Sequence, residues 1–539
     1  MKIEQILQNK IAAALKLLGV EVDASTIVIE RSKEAIHGDF ASNIAMQSAK
    51  ILRKAPRVIA EEIINHLDMS GLTKVEIAGP GFLNFFVETA TLAAVINRIH
   101  QAGEKYGNGQ VGEGKRINVE FVSANPTGDL HLGHARGAAL GDSICRLYEA
   151  AGFDVTREYY VNDAGNQIDN LGVSLYARYL QALGHEAVLP EDGYYGPDIL
   201  EIAKVLVNEV GDKYVNNYDA RFFKAYGMHK ELGKINDDLA FFRVHFDVYS
   251  YETEVRKDGR VEKLLEQLKP YTYEDEGATF LKTSDFGDDK DRVIVKSDGA
   301  YTYFLPDIVY HLDKLSRNYD LLIDVLGSDH HGYIARMKAA LQMFNYPSST
   351  LEVEMLQMVR LIKNGEEFIM SKRSGNAVTL RELCEEVGVD AVRYFFVARA
   401  STSHLDFDLD LASEASSANP IYYAQYAYAR LFAVLEKGKQ YNISYEGAGL
   451  TSKYETDLMK ELGNFPQVVE DAALSRSPYK ITNYVQKLAA MIHAFYTECR
   501  LLDESNVPLT ENRLGLAEAS AIVLKKALNL IGVNSPEKM

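Results

Sequence analysis

The sequence predicts a doubly wound α/β domain with a parallel sheet, preceded by a small α+β domain and followed by an all-α domain. Two strand–helix–strand series, at 117–161 and 321–362, predict the sheet, because parallel neighbouring strands are joined by right-handed crossovers that contain a helix. From about Asp390 onward the apolar residues recur almost entirely at helical spacing. With 539 residues, the chain is also too long for one ordinary core.

The first domain is predicted to span residues 1–105. Its expected elements, in order, are a helix at 2–19, a strand at 27–30, a helix from about Ser42 and a strand pair within 74–87. The stretch 100–116, "HQAGEKYGNGQVGEGKR", contains five glycines and few apolar side chains. We therefore expect it to be a linker.

The second predicted domain spans 106–389 and holds both strand–helix–strand series. The first series runs from a strand at "INVEFVS" through a turn and a helix ended by Gly152 to the strand "FDVTREYYV". The second consists of a strand at 321–327, a helix at 332–344 and a strand at 351–362. An insertion at about 186–300, with helices and then short strands at 278–284 and 292–297, is expected between the two series. Residues 390–539 form the predicted all-α domain.

Composition and charge exclude several classes of protein. The net charge of −18 argues against indiscriminate binding of nucleic acid or membranes, although a local basic face can still hold a polyanion. No apolar run approaches the roughly 18 residues of a membrane span, and polar residues at the N-terminus interrupt the continuous apolar block that a secretory signal would need. The three cysteines are far apart, so we expect no disulfide framework, no structural metal and a cytoplasmic location.

Two histidines, His131 and His134, stand at the start of the helix that follows the first strand of the sheet. At a spacing of three their rings project from the same side of the turn, and Gly133 lets a flat ring approach the backbone. The N-terminus of a helix beyond a parallel strand is a ready anion site, so the pair is a candidate phosphate binder. Hydrogen bonds at the helix end, or half of a zinc site, are alternatives that the spacing leaves open.

A second candidate phosphate segment, "FIMSKRSGNAVTL" (368–380), follows the last strand of the second series. It contains Lys372 and Arg373 in a glycine-bearing loop ahead of a helix, and mobile lysine loops beside nucleotide folds commonly clamp phosphates. By itself the segment is equally compatible with a solvated basic loop.

Together these segments resemble the HIGH and KMSKS signatures of class I aminoacyl-tRNA synthetases, whose catalytic domain is of the Rossmann type. Over nearly the whole chain the sequence is similar to bacterial arginyl-tRNA synthetases, in "SANPTGDLHLGHARGAALGD", "YYVNDAGNQI", "GSDHHGYIARM", "MSKRSGNAVTL", "NPIYYAQYAYAR" and "SPEKM". One departure is that Ile369 and Arg373 replace the first lysine and the last serine of KMSKS. The lysine credited with gripping the triphosphate remains as Lys372.

The resemblance implies that arginine attacks the α-phosphate of ATP, that pyrophosphate leaves, and that the adenylate passes to the 3′ end of a tRNA. Phosphoryl chemistry of this kind needs positioning and charge neutralisation. We expect His131, His134 and Lys372 to be catalytic, with Mg²⁺ on the phosphates. The further ATP-binding residues implied are Gly133, Asp329, His330, His331, Met370 and Ser371; His330 and His331 are equally compatible with a plain helix start.

For arginine, the resemblance implies a pocket formed by Glu120, Ser123, Asn125, Tyr303 and Asp307. Carboxylates meet a guanidinium in bidentate pairs, a geometry that excludes lysine. The alternative for Glu120 is a surface carboxylate on an edge strand. For Tyr303 and Asp307 the alternatives are a packed aromatic residue and a helix N-cap.

Two regions are candidates for tRNA contact. Between Phe40 and Ala60 there is no acidic residue, while Lys50, Arg53 and Arg57 cluster there, which suits RNA backbone contact with Phe40 available for stacking. An ordinary solvated helix face is the alternative. The resemblance assigns this domain to the tRNA elbow.

In the all-α domain, Tyr422, Gln425, Tyr426 and Arg430 share one helical face. They could stack on and read anticodon bases, or form a buried aromatic stripe. An adenylate-forming enzyme for another small acid would lack this domain, and a non-catalytic tRNA-binding relative would have lost the histidines or Lys372. We therefore expect an arginine–tRNA ligase that acts as a monomer.

Overall fold

The N-terminal part of the chain packs helices against a four-stranded antiparallel sheet. The computed structural model describes residues 3–32, 35–328, 332–368 and 378–539. The strand order in this sheet is β1-β2-β4-β3. The elements are α1 (Ile3–Leu17), β1 (Glu30–Arg31), β2 (Phe40–Ser42), α2 (Ile44–Leu52), α3 (Pro56–His66), β3 (Leu72–Ala78), β4 (Phe82–Val87) and α4 (Thr89–Ala102).

The predicted first helix and the strand pair within 74–87 are confirmed, but the predicted strand at 27–30 is wrong. Only Glu30 of that stretch is in a strand, where it pairs with Ala41. Ahead of it, the Asp23 side chain accepts from the Ser25 N–H and sets a short 3₁₀ turn. Ile27 is buried. Because β2 is only three residues long, however, residues 27–29 have no neighbouring strand to pair with in the described part of the chain.

A five-stranded parallel sheet forms the centre of the molecule, in the order β12-β11-β5-β6-β7. Its first part comprises β5 (Arg116–Glu120), α5 (Leu132–Ala150), β6 (Asp154–Val161), α6 (Asn166–Ala182), α7 (Pro197–Val210), α8 (Ala220–Phe241) and β7 (Val248–Tyr251). Since β7 falls within 186–300, the main sheet takes one strand from the stretch predicted to be an insertion.

The chain then leaves the sheet and returns to it on the other side of β5. The elements in this part are α9 (Glu252–Arg256), α10 (Arg260–Leu268), β8 (Thr272–Asp275), β9 (Ala278–Leu281), β10 (Arg292–Val295), α11 (Phe304–Ser316), β11 (Leu321–Gly327), α12 (Tyr333–Met343) and β12 (Leu351–Leu356). The strands β8, β9 and β10 form a separate antiparallel sheet. The central sheet contains β5 and β6 from the first series and β11 and β12 from the second. The prediction of two parallel series in one sheet is therefore confirmed.

The prediction of one strand over 351–362 is wrong. After β12 the chain bends at Gln357, whose carbonyl accepts from Arg136 and whose N–H donates to Ser401. It then enters β13 (Val359–Lys363), which joins β14 (Glu366–Glu367) and β15 (Leu405–Asp408) in another small sheet. The strand β15 also departs from the prediction that the chain beyond Asp390 is almost entirely helical.

The remaining helices are α13 (Leu380–Val387), α14 (Val389–Val397), α15 (Leu409–Ser413), α16 (Pro420–Lys437), α17 (Lys453–Leu474), α18 (Tyr479–Glu498) and α19 (Val507–Leu530). The last four pack into a bundle that also contacts α4 and α5. Within the parts of the chain that the structure describes, no helix is both long enough and apolar enough to cross a membrane.

The helix α5 lies at the centre of the core and is buried along most of its length. Its close approach to the sheet depends on Gly141, because a Cβ there would lie 2.2 Å from the Phe121 ring. At its N-terminal end α5 points toward the carboxyl ends of β5 and β11. The chain runs from β5 to one side of the sheet and later returns to the other, so this edge is the topological switch point where ligands bind in such folds.

Candidate active site

A cleft of about 470 Å³ opens at this switch point, beside the N-terminus of α5. Its lining comes from the ends of β5, β11 and β12 and from the first turn of α5. The lining residues that carry the following argument are Glu120, Ser123, His131, Gly133 and His134. Glu120 and Ser123, two of the residues predicted for the arginine pocket, therefore share one cleft with the histidine pair. Asn125, Tyr303 and Asp307 are not part of its described lining.

The histidine rings are stacked, with their centroids 3.7 Å apart. Each Nδ1 accepts a backbone hydrogen bond: the Gly133 N–H donates to His131 at 3.1 Å, and the His131 N–H donates to His134 at 3.4 Å. An imidazole nitrogen that accepts from an N–H carries no proton, so a neutral ring holds its proton on Nε2. Both rings are thus fixed as Nε2–H donors.

Burial keeps the pair neutral near pH 7. It lowers the pKa of His131, and burial together with the nearby His131 lowers the pKa of His134 to about 4. The helix-end hydrogen bonds considered as an alternative are therefore present, but they occupy only the Nδ1 atoms. Within the described residues there is no group of three or more His, Cys, Asp or Glu side chains that could hold a metal ion.

The described end of the second phosphate segment, residues 378–380, lies beside the histidines. Lys372, Met370 and Ser371, with Ile369 and Arg373, lie outside the described residues, as do Asp329, His330 and His331. At the described end of that segment, Thr379 forms an antiparallel bridge with His131, and the Leu380 N–H donates to the Leu130 carbonyl at 2.7 Å. Thr379 also caps α13 in a capping box with Glu382. The chain that follows Lys372 is therefore joined to the loop that leads from β5 into the histidine pair.

At the other end of the cleft, the Glu120 carboxylate is already engaged. One oxygen accepts from Lys314 Nζ at 2.5 Å, and the other accepts from Ser123 Oγ at 3.0 Å. The Tyr160 N–H in turn donates to Ser123 Oγ. The alternative of a solvated edge carboxylate does not apply, since Glu120 lies on a central strand and is half-buried.

The backbone next to Glu120 is strained. Val122 and Ser123 have φ of 66° and 39°, and a positive φ at a β-branched residue is rare because Cβ crowds the backbone. Such strain persists only where surrounding contacts fix it, and it concentrates at functional sites. Here the twist turns Ser123 back toward the Glu120 carboxylate.

A buried ionic network stands behind Glu120. Lys314 is fully buried and also donates to Asp324 at 3.0 Å, while His311 Nε2 lies 2.8 Å from the other Asp324 oxygen. Burial acts to lower the pKa of Lys314, but the Asp324 and Glu120 carboxylates outweigh it and raise that pKa. The pKa of His311 is raised in the same way, because Asp324 outweighs burial.

Asp307 lies in the first turn of α11, one turn ahead of His311. Burial raises the pKa of Asp307 to about 6, and the negative Glu120 adds to the rise, although the charge on His311 opposes it. A carboxylate with a raised pKa beside a second carboxylate is typical of a site that awaits a cation. Of the other residues predicted for the arginine pocket, Tyr303 is 84% exposed and the Asn125 amide donates to Gln167 at 2.7 Å.

Lys314, His311 and Asp324 were not among the residues predicted from the sequence. One signal was available, since Asp307, His311 and Lys314 recur at helical spacing in "DIVYHLDK" and form a polar stripe on an apolar helix. Asp324 interrupts the apolar strand "LLIDVLG". A buried strand with one carboxylate requires a cationic partner.

Comparisons with known proteins agree, along most of the chain, with the resemblance to arginyl-tRNA synthetases. Residues 5–87 match the family model described as arginyl tRNA synthetase N terminal domain, 95–395 match tRNA synthetases class I (R), catalytic domain, and 424–539 match DALR anticodon binding domain. Two proteins named arginine–tRNA ligase, from Bacillus licheniformis and Bacillus subtilis, are each 50% identical over 551 residues, covering 100% of this chain and 99% of the relative.

The chain belongs to the arginyl-tRNA synthetase family. The predicted fold class and the prediction of an arginine–tRNA ligase are confirmed. The solved structure of the Thermus thermophilus arginyl-tRNA synthetase is similar with a TM-score of 0.75 at 22% identity, covering 99% of this chain and 100% of that one. At this identity it shows the fold alone.

In the N-terminal domain of this synthetase, the basic residues predicted to contact tRNA form an exposed edge. Lys50, Arg53 and Arg57 are exposed at the junction of α2 and α3. Phe40 is different: it is only 2% exposed and lies in the domain core, with the Arg31 guanidinium over its ring. The prediction that Phe40 stacks on RNA is corrected, because a side chain that supports the core is not available to a base.

In the C-terminal domain of this synthetase, Tyr422 and Tyr426 stack with centroids 6.2 Å apart, and Tyr426 is 42% exposed. The Arg430 guanidinium lies over the Tyr426 ring. Gln425 is buried, and its amide donates to Asp390 and to the Asn534 carbonyl, both at 2.9 Å. Its amide therefore binds the tail of the chain, which corrects the prediction that Gln425 reads a base edge.

Proposed function

We propose that this arginine–tRNA ligase forms the adenylate in the cleft at the switch point, with the phosphates against His131 and His134. The observation that carries this proposal is the pair of Nε2–H donors, oriented by backbone N–H groups at the N-terminus of α5. Donors that are fixed before the ligand arrives cost no reorganisation when charge develops in the transition state. Gly133 between them leaves the backbone accessible to a phosphate.

In this proposal, the carboxylate of arginine attacks the α-phosphate and the bond to pyrophosphate breaks. The histidines donate to phosphate oxygens as charge shifts toward the leaving group. Lys372, with Met370 and Ser371 next to it in the sequence, neutralises the pyrophosphate from the side of the segment 368–380. The adenosine is assigned to Asp329, His330 and His331, on the basis of the resemblance to the family alone.

The arginine side chain is assigned to Asp307. Because the Glu120 oxygens are bound to Lys314 and Ser123, Asp307 is the carboxylate better placed to accept a guanidinium. Its raised pKa supports this assignment, since a bound cation would restore the ordinary ionisation. Glu120, Ser123 and Asn125 are then left for the α-amino end of the substrate, and Tyr303 for closure over it.

Magnesium enters the proposal as an ion carried by ATP. Within the described lining of the cleft, Glu120 is the carboxylate, and Lys314 neutralises it. The Nε2–H donors of His131 and His134 fit the anionic oxygens of a triphosphate. Mg²⁺ instead prefers carboxylate, phosphate and water oxygens. We therefore assign the ion to the phosphates and their waters.

The tRNA is assigned to two surfaces, which extend the proposal beyond the cleft. Lys50, Arg53 and Arg57 would contact the backbone near the elbow, and Tyr422, Tyr426 and Arg430 would stack on anticodon bases. The functional division that we propose is 1–105 for the elbow, 106–389 for catalysis and 390–539 for the anticodon. A monomer in the cytoplasm is part of the same proposal.

Exchange of radioactive pyrophosphate into ATP tests the proposal. Each amino acid is offered separately, with and without tRNA, and we expect exchange with arginine alone and only when tRNA is present. Exchange with lysine or cysteine, or none with arginine plus tRNA, would overturn it. Lys372→Ala should abolish most of the exchange while the affinity for tRNA stays nearly unchanged, and a collapse of tRNA binding would instead contradict the role given to Lys372.

A further inference from the structure

The role of the helices inserted after β6 is not explained by the site itself. The helices α6, α7 and α8 have a hydrophobic cluster of their own, which includes Phe223 near the start of α8. Toward its end, the same helix contributes Ile235 and Leu239 to the main core. With 22 residues, α8 is about 33 Å long, so one rigid helix connects the two clusters.

Two charged side chains on α8 contact the two segments that meet at the histidine pair. Lys234 Nζ lies 3.0 Å from Asp129, which stands two residues before His131. Asp238, one turn further along α8, accepts from Arg381, whose Nε and Nη2 lie 2.8 and 2.7 Å from one oxygen. Arg381 stands two residues after Thr379.

Each of the two ion pairs involves a residue two positions from the bridge that joins the two segments. Lys234 and Asp238 are four residues apart and therefore lie on the same face of α8. His131 and Thr379 form an antiparallel bridge, and their two flanking charges, Asp129 and Arg381, are opposite in sign to the α8 residues that they meet. The helix consequently holds both segments at once.

Each basic side chain of the two ion pairs, Lys234 on α8 and Arg381 on α13, has further contacts. Lys234 Nζ also lies 3.3 Å from Glu231, which is fully buried one turn earlier, and 3.5 Å from Asp198 on α7. The guanidinium of Arg381 lies over the Phe241 ring, 4.2 Å from its centroid. The lysine and the arginine therefore each have a neighbour in addition to the partner in the ion pair.

We propose that Lys234 and Asp238 are positioning residues that align the histidine segment with the segment that follows Lys372. This inference rests on the proposed function, because it gives the insertion the task of setting the distance between the two phosphate-binding parts. Misplacing catalytic groups by about 1 Å can cost as much as about 10²-fold in rate, so a device that aligns them has a large effect on the rate. The substrate would not contact either residue. We call the two ion pairs, Lys234–Asp129 and Asp238–Arg381, the clamp.

The test measures pyrophosphate exchange with arginine and tRNA for variants of the Asp238–Arg381 pair in the full chain. For Asp238→Lys and for Arg381→Glu we expect kcat to fall about tenfold, while the KM for arginine stays within about twofold because the arginine end is not held by the clamp. The charge-swapped double variant, Asp238→Lys with Arg381→Glu, should recover most of the lost kcat. Lys234→Gln should lower kcat in the same direction.

Lys230→Ala is the matched control. Lys230 lies on the same helix, one turn before Lys234, and pairs with Glu209 at 3.2 Å on the side of the separate cluster. It should leave exchange unchanged. Thermal unfolding of every variant is followed in parallel, and if a charge reversal fails to fold, Asp238→Asn and Arg381→Gln carry the same comparison.

The outcomes separate the clamp from the proposed function. If the unmodified enzyme shows no arginine-dependent exchange, the proposed function fails and the clamp with it. If the unmodified enzyme exchanges and the Asp238 and Arg381 variants behave like Lys230→Ala, the clamp alone is overturned. A loss of kcat that the charge swap does not recover, or that is matched by a rise in the KM for arginine, also overturns it.

Discussion

The two ends of the candidate active site are prepared for charge in opposite ways. At the phosphate end, His131 and His134 are neutral and are oriented by backbone N–H groups, so the charge arrives with the ligand. At the arginine end, Lys314, Asp324 and Glu120 form a charged network that exists before any ligand binds. Backbone dipoles can orient a half-exposed site, whereas buried charges persist only while each has its partner.

The largest effect is expected from Lys314→Met, which removes the ammonium shared by Glu120 and Asp324. Leaving buried carboxylates without their partner should lower the free energy of unfolding by about 3–5 kcal/mol. Urea denaturation followed by circular dichroism measures this. Lys204→Met is the control, since Lys204 pairs with Glu201 on the exposed side of α7, and it should have little effect. Equal stability of the two variants would mean that the arginine end does not depend on its buried charges.

The next largest effect is expected at the phosphate end, from His134→Asn. Loss of one preorganised donor should lower kcat for exchange by about 10²- to 10³-fold, with little change in the KM for arginine. His134→Gln is the matched variant, because the glutamine amide reaches the position of Nε2 while the asparagine amide reaches only that of Nδ1. If both variants lose activity equally, Nε2 is not the group that matters.

A smaller effect is expected from Asp307→Asn, which keeps the shape of the side chain and removes its charge. Loss of a charged hydrogen-bond partner should raise the KM for arginine by about 10- to 10²-fold, from roughly 1.5–3 kcal/mol. The kcat should change less. Asp313→Asn, on the same helix but paired with Arg260 near the surface, should leave the KM unchanged. An unchanged KM in Asp307→Asn would mean that another group binds the guanidinium.

The smallest effect, and the one that separates the two ends most directly, is the dependence on pH. Asp307 must be ionised to accept a guanidinium, and its pKa is raised to about 6. The affinity for arginine should therefore rise with pH and fall about tenfold from pH 7 to pH 5. The pKa of His134 is about 4, so this ring does not titrate in that range. In Asp307→Asn the KM for arginine should not vary between these values, and a dependence that persists would assign it to another group.

Much of the fold follows from local pattern. The strand at 321–327 is present as β11, and the helix expected to follow the first strand is present as α5 (Leu132–Ala150). The single strand expected over 351–362 is divided because the bend at Gln357 is held by Arg136 and Ser401, which are distant in sequence. The strand β7 was missed for a similar reason, since its pairing with β6 is not encoded in its own four residues.

In the candidate site, too, some features follow from local sequence pattern and others depend on residues that are distant in sequence. The motif that contains His131 and His134 is visible as a helix start after a strand, and the ring stack follows from a spacing of three. In contrast, Phe40 and Gln425 were predicted to face RNA and are buried. Residue type and helical face do not tell which side of an element is covered, because that depends on the neighbouring elements.

By itself, the sequence determined the two parallel series, the histidine pair at the start of α5, and a resemblance that the comparisons confirm. Hydrophobic period, turn residues and helix starts are local properties, so they can be recognised along the chain. Only the tertiary structure decided that Lys314 neutralises Glu120 and that Asp307 has a raised pKa. It also brought Lys234 and Asp238 to the two segments at the histidines. Burial and charge pairing depend on which distant residues come together, and that is fixed only when the sheet and helices pack.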